Sequence, residues 1–332
     1  MWGPDQRGDA LAIFSLMPFA GPALAPIVSG FMEVTDTDYK WIFWVLTIFA
    51  GVCLALMIPI LPETYVPFIL QQEARRLRKE TGEPWISALE RSKAGDTAGS
   101  LFKKTIAKPF IMIVQEPMLL VLTLYMSFVY GIIYLLFEAI PIVFQGTHGL
   151  NAGEAGLVFL ALLSGGVIGV IAYIFYFNPQ YVKLHDKIAP KSVPPEARLT
   201  PILVAAPAFA VAFFWFGWTG QYESVSIAAP ILSVVLLGIC VLWIFLSIFN
   251  YLIDAYLMNA ASALSINTVC RSAFGAGFPL FAGQMFRKLG TGGASSLLGG
   301  LAILFMPAPF LLKKYGAKIR AMSKNAVVRP DE

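Results

Sequence analysis

Seven stretches of the chain, each at least 21 residues long, contain no Asp, Glu, Lys or Arg: 10–32, 41–62, 117–137, 155–182, 199–222, 224–253 and 289–312. An eighth, 255–286, is interrupted only by Arg271. A bilayer core about 30 Å thick needs roughly 20 apolar helical residues to cross it, and each stretch is long enough. Inside lipid a backbone must satisfy its own N–H and C=O groups, so helices or closed barrels are the available solutions. The runs are continuous rather than alternating, which excludes strands. The expected fold class is therefore an all-α integral membrane protein with eight transmembrane helices. Composition agrees: charged residues are 13% of the chain and hydrophobic ones 58%, against about 25% charged in an average soluble domain. A net charge of +4, with basic residues confined between apolar blocks, excludes nucleic acid as a partner.

Eight crossings put both termini on one side. If residue 1 is cytoplasmic, twenty of the 24 Lys and Arg residues fall in cytoplasmic segments and three (Lys40, Arg287 and Lys288) fall outside, with Arg271 within a span. Positive charge is retained on the cytoplasmic side, so both termini are expected there. The segment before the first run is polar and leads directly into a full-length span, so no signal peptide is read.

The longest polar segment follows the second run. It contains 73–83, a mixed-charge stretch rich in helix formers. It reads either as a helix lying on the membrane with its basic side toward anionic lipid or as a solvated linker. Residues 178–198 carry Pro179, Pro190, Pro194 and Pro195 and are expected to be extended.

The first run holds Gly21-Pro22, Ala25-Pro26 and Ser29-Gly30, small residues and prolines at a four-residue spacing. Lipid supplies no hydrophobic drive between helices, so association depends on close backbone approach, which small residues permit. The fourth run has a similar face in Gly165, Gly166 and Gly169. Ionisable groups in or beside spans are costly and so mark pathways or structural bonds. Arg271 falls near the middle of the seventh span, Glu138 at the end of the third, and Asp254 between the sixth and seventh. Each has a plainer role open to it: Arg271 bonding carbonyls, Glu138 an interfacial carboxylate, Asp254 a helix cap. Asn267 and its polar neighbours suggest a wet face on the seventh span. Tyr134 and Tyr130 are aromatic groups able to contact a cationic or planar substrate. Glu138 and Arg271 are expected to meet near the external gate, where proton uptake by the carboxyl would release the guanidinium.

No GxxxxGK[ST] loop is present, which argues against ATP hydrolysis. The histidines, His148 and His185, fall in separate loops, and Cys53, Cys240 and Cys270 are scattered. No metal site, cofactor or enzymatic centre is expected.

Several strings resemble a known family. Asp5-Gln6-Arg7-Gly8, entering a span of GPxxAPxxSG pattern, is similar to the fifth helix of major facilitator superfamily antiporters. Pro62-Glu63-Thr64-Tyr65 resembles the end of their sixth helix in fungal members. The run from Tyr130 to Glu138 is similar to the seventh helix, and Pro195-Glu196-Ala197-Arg198-Leu199 to the string before the ninth. Tyr251–Tyr256, Arg271, Phe278-Pro279-Leu280-Phe281 and the run from Lys314 to Arg320 match from the tenth helix onward. Together they resemble the fungal drug:proton antiporter group that includes polyamine and azole exporters. Ala25 and Ser29 stand where the family's antiporter motif has glycine.

The resemblance implies a partial major facilitator fold: 1–62 as the last two helices of a first bundle, 63–112 as the central cytoplasmic loop, 113–315 as a six-helix second bundle and 316–332 as a cytoplasmic tail. It implies proton-coupled efflux of drugs or polyamines, hence multidrug resistance, by alternating access in the plasma membrane. Lipid, protons and a small molecule would be the partners. Glu138, Asp254, Arg271, Asn267 and Tyr134 would serve transport, and Gly21, Pro22, Ala25, Pro26, Ser29 and Gly30 would pack the antiporter motif. Four leading helices and the loop between the family's second and third are absent. The other expectation is therefore a truncated, non-transporting membrane protein or an interaction subunit, with coding sequence for the missing helices upstream.

Overall fold

The computed structural model describes residues 4–35, 37–93, 106–188 and 193–326. Within these every regular element is helical. Parts of the expected central loop (94–105) and of the tail (327–332) lie outside the described residues. The chain forms two compact units, Met1–Thr37 with Pro109–Glu332, and Asp38–Lys108.

The smaller unit contains α2 (Lys40–Ile60), α3 (Val66–Thr81) and α4 (Ala88–Lys93). No residue of α2 is buried, although it is almost wholly apolar. Only a membrane or another protein surface can solvate such a helix. Helix α3 starts earlier than the charge run suggests, because Pro67 is pre-shaped for a first turn. It stops at Gly82, which takes the left-handed cap conformation at φ 73°. Its arginines are answered by acids of α3 and of α4. Arg76 pairs with Glu80 at 2.9 Å and Glu73 at 3.8 Å. Arg78 and Arg75 both face Glu90 of α4, at 2.6 and 3.8 Å.

The larger unit contains α1 (Pro4–Val34), α5 (Lys108–Gln115), α6 (Pro117–Phe144), α7 (Ala152–Leu157), α8 (Phe159–Ala172), α9 (Asn178–Ile188), α10 (Thr200–Gly220), α11 (Ala228–Tyr256), α12 (Ala260–Phe305) and α13 (Pro307–Ala321). A π-helical turn, Tyr173–Phe177, joins α8 to α9, so 152–188 form one long helical segment. The extended loop expected at 178–198 is therefore corrected. Pro179 follows directly on the π-helical turn, where the regular i to i−4 ladder is already interrupted, and the next proline comes only at 190. His185 accordingly lies on a helix and not in a loop.

Among the described residues seven helical segments are long and apolar enough to cross a membrane. The last, Ala260–Ala321, contains two crossings. Phe128 of α6 packs against both Phe278 (ring centroids 6.3 Å apart) and Phe305 (5.0 Å). In a straight helix those 27 residues would be separated by about 40 Å. The chain turns back at Gly290, whose φ of 69° and ψ of 170° are non-helical and open to glycine at little cost. The arm 260–289 runs parallel to α6, with Asn267 beside Thr123 and Gly275 beside Tyr130. The arm 291–305 runs antiparallel to α10, with Ser295 beside Gly217 and Gly299 beside Phe214. Two arms joined at Gly290 account for the eight spans.

Large side chains such as Tyr125, Phe209, Phe213 and Phe216 fill the core of this bundle. Phe175, Leu280 and Leu304 point outward, more than 70% exposed, as suits a surface wetted by lipid chains rather than water.

Candidate functional site

Three features follow from this packing. The first is a seam along α1. From one end to the other, Gly8 lies against Tyr173 and Asn178, Leu16 against Gly166, Pro26 against Gly156, and Gly30 against Ala152. A Cβ on Gly156 would come within 2.7 Å of the Pro26 carbonyl, and one on Gly30 would collide with the Ala152 backbone. Gly153 receives the ring of Phe31. The small residues thus let α1 and the α7–α8 segment touch backbone to backbone. Ser29 donates to the Pro26 carbonyl at 3.3 Å. Gly21 meets nothing within 4 Å and faces away from this contact. The glycines of α8 divide, with Gly166 toward α1 and Gly165 and Gly169 toward α11.

The second feature lies midway along α6 and the first arm of α12, against the later part of α11. The Arg271 guanidinium sits over the Tyr130 ring at 5.0 Å and the Phe249 ring at 5.7 Å. Its Nε is buried without a hydrogen-bond partner. The Tyr130 and Tyr134 hydroxyls are bonded at 3.2 Å. Asn267 is fully buried; its amide donates to Thr123 at 3.4 Å, and its Oδ1 has no partner. Glu138 is exposed and lies eight residues beyond Tyr130, about 12 Å further along the helix. Arg271 is level with Tyr130, so the expected pairing of Glu138 with Arg271 is not formed: no ion pair joins them among the described residues. The reason is register. Arms running parallel bring 271 near 130 and leave 138 closer to the level of the 280s.

The third feature is a cluster of buried ion pairs at the end of the bundle where α6 begins and α11 ends. Arg320 of α13 makes a two-pronged contact with Glu196, at 2.9 and 3.0 Å. Arg198 meets Asp254 at 3.1 Å and lies over the Tyr181 ring at 3.5 Å. Lys313 donates to the Glu196 carbonyl at 2.9 Å and to the Thr200 hydroxyl at 3.2 Å. The side chains of Arg198 and Arg320 are 3% and 1% exposed, so these charges have left water and depend on one another. The short 3₁₀ turn Pro195–Leu199 holds Glu196 and Arg198 under the bundle. Asp254 lies in the last turn of α11 and not at the start of the next helix, so it acts as an ion-pair partner rather than a cap. Close by, Glu116 is 1% exposed and accepts hydrogen bonds from Tyr256 and from the tail residues Lys324 and Asn325.

Sequence reasoning singled out Asp254 but missed Glu196, Arg198, Arg320 and Glu116. Their signs were visible, but partners 56 and 124 residues apart carry no spacing signal. Among the described residues no group of three or more His, Cys, Asp or Glu could hold a metal ion.

Comparison with known proteins converges on one family. Residues 1–279 match the family model described as Major Facilitator Superfamily. An uncharacterised transporter of Schizosaccharomyces pombe is 42% identical over 98% of this chain and 60% of its own length. The major facilitator superfamily multidrug transporter mdrA of Aspergillus fumigatus is 40% identical over 98% of this chain and 53% of its own. The multidrug transporter FLU1 of Candida albicans is 39% identical over 99% and 54%. The chain thus spans about half to three fifths of the length of these relatives. No solved structure matches it.

Proposed function

Because the chain belongs to the Major Facilitator Superfamily, we propose that it forms the larger part of an exporter that moves drugs or polyamines outward in exchange for protons. It is a multi-pass membrane protein rather than an enzyme. In our reading both termini are cytoplasmic, the membrane is the plasma membrane, and residues 113–315 make one complete bundle. The observation that carries the reading is the unneutralised Arg271, at mid-span among Tyr130, Tyr134 and Phe249. A guanidinium at that depth is tolerable only where water, a solute or a facing charge reaches it. Such a polar path between bundles is what a substrate site of this kind requires. Glu138, exposed on the same helix as Tyr134 and in no ion pair among the described residues, is the proton-accepting group we assign. The seam along α1 is the surface about which the halves rock, and Asn267 and Asp254 act through the packing of the second bundle.

The test is proton-coupled efflux from energised vesicles, with Arg271→Ala and Glu138→Gln each expected to abolish transport while insertion stays normal. Orientation is checked by single cysteines at Thr219 and Met322 in a cysteine-free background. An impermeant thiol reagent on intact cells should reach 219 and miss 322. The rival to this reading is a membrane component that does not transport. Efflux by the 332-residue chain, set beside that of a form extended to the relatives' length, separates the two.

A further inference from the structure

Glu116 is a buried carboxylate whose satisfaction comes almost wholly from the C-terminal tail. Its Oε1 accepts from the Lys324 amide at 3.2 Å, the Asn325 amide at 3.1 Å and the Asn325 side-chain amide at 2.9 Å. The Tyr256 hydroxyl, at 3.5 Å, is the other contact. The tail is held a second time where Asn259 donates to the Asn325 carbonyl at 3.1 Å. Residues after α13 therefore close over the starts of α6 and α12 as a latch. Ser323 forms the turn that aims them. Its Oγ accepts from the Asn325 amide at 3.2 Å and the Ala326 amide at 2.8 Å. Ser323 Oγ and Glu116 Oε1 thus share one amide donor and are close neighbours.

We propose that Ser323 is a phosphorylation site and that its modification releases this latch. Arg320 and Lys318 stand three and five residues before it, a pattern that suits a protein kinase selecting basic residues on the amino-terminal side of its serine. The kinase would transfer the γ-phosphoryl group of ATP. The Oγ–P bond forms, the bond to the ADP oxygen breaks, and the hydroxyl proton passes to the kinase's base. The product carries about −1.5 to −2 charges beside a buried carboxylate that already competes for the same amide. Like-charge repulsion then opposes redocking. Arg320 is buried in its pair with Glu196, so a kinase can read it only when this end has loosened. Modification would capture the loosened state and hold it. The inference rests on the proposed cytoplasmic position of the tail, since ATP and kinases act there.

The experiment uses the full chain in sealed vesicles of both orientations, treated with a basic-directed kinase and Mg-ATP. Phosphate is located by mass spectrometry, and hydrogen exchange is followed at the amides of 324–326. Expected results are phosphate on Ser323 in inside-out vesicles and roughly tenfold faster exchange at those amides. Glu116→Gln, which removes the repelling charge, should largely restore protection of the phosphorylated chain. Ser323→Asp should reproduce part of the acceleration. Phosphorylation of Ser323 only in right-side-out vesicles would overturn the orientation while supporting the site. No phosphate on Ser323 in either orientation, or phosphate with unchanged exchange, would overturn the proposal.

Discussion

Two sets of charges sit in the same bundle under opposite conditions. At the end where α11 stops, Glu196, Arg198 and Arg320 are buried, Asp254 is largely so, and all four are paired within the bundle. At mid-span Arg271 rests on two rings with no carboxylate paired to it among the described residues, and Glu138 stands further along α6. The first set is a closed system: each member is held by another, and removing one strands its partner. The second is open, and whatever balances it must come from water, a solute or another surface. Paired charges hold a structure together; unpaired ones at membrane depth are free to respond to something that arrives.

The largest effect that tests this contrast is expected in the closed set. Arg320→Met leaves Glu196 buried without its guanidinium, at a cost of about 3–5 kcal/mol. In detergent the melting midpoint should fall by roughly 10 °C. The double change Glu196→Leu with Arg320→Leu should recover most of the loss, because neither charge is then stranded. An unchanged midpoint in the single variant would break the comparison at its stronger side.

The open set should behave in the reverse way. Arg271→Ala removes two cation–π contacts, together about 1–2 kcal/mol at most, so the melting midpoint should move little while transport is lost. A collapse of stability would show that Arg271 is a structural bond after all, and efflux at the unmodified rate would remove it from the transport path.

The α1 seam offers a finer test between a glycine packed against α1, Gly156 of α7, and a glycine of α1 itself that faces open space, Gly21. Gly156 faces the Pro26 carbonyl, so Gly156→Leu should cost about 1–3 kcal/mol through overpacking. Gly21, with open space around it, should accept alanine and gain about 0.5–1 kcal/mol of helix stability. Thermal melts of the two variants should shift in opposite directions.

The smallest effect belongs to α3 and α4. The Arg78 guanidinium, with a backbone bond from Ser87, holds the Glu90 carboxyl below the usual carboxylate range. A lowered folded-state pKa means that this clasp is fully present above the ordinary glutamate value, about 4.3, and is lost as pH falls through the lower folded one. The pairs are exposed to solvent, so salt should weaken them as well. Trp85 donates to Thr81 in the same segment at 3.2 Å. In a variant keeping Trp85 as its one tryptophan, emission should change on acidification or at high salt, and Glu90→Gln should remove both responses.

How much of this was legible differs by kind of residue. The spans could be read because lipid imposes a length and forbids charge, and both are properties of consecutive residues. Even the turn that divides α12 was announced, since Arg287 and Lys288 separate the last two apolar runs and Gly290 follows at once. The helix at 178–188 was misread because its prolines were counted together, although only Pro179 lies within it. The site was read least well. Arg271 and Asp254 stood out as charges beside apolar runs, but the partner given to Arg271 was Glu138, and the register of two parallel helices placed Tyr130 there instead.

The sequence by itself determined the membrane class, the number of crossings, the expected side of each loop and the family resemblance. All of these depend on composition within a window or on strings of neighbours. Only the tertiary structure decided that Glu196 belongs to Arg320, Arg198 to Asp254, and Glu116 to a tail more than 200 residues away. It also decided that one face of the α1 motif is packed while Gly21 is open. The physical reason is that a buried charge or a bare backbone acquires its meaning from what lies within about 4 Å of it. In a helical bundle those neighbours are set by register and crossing, which no stretch of consecutive residues encodes.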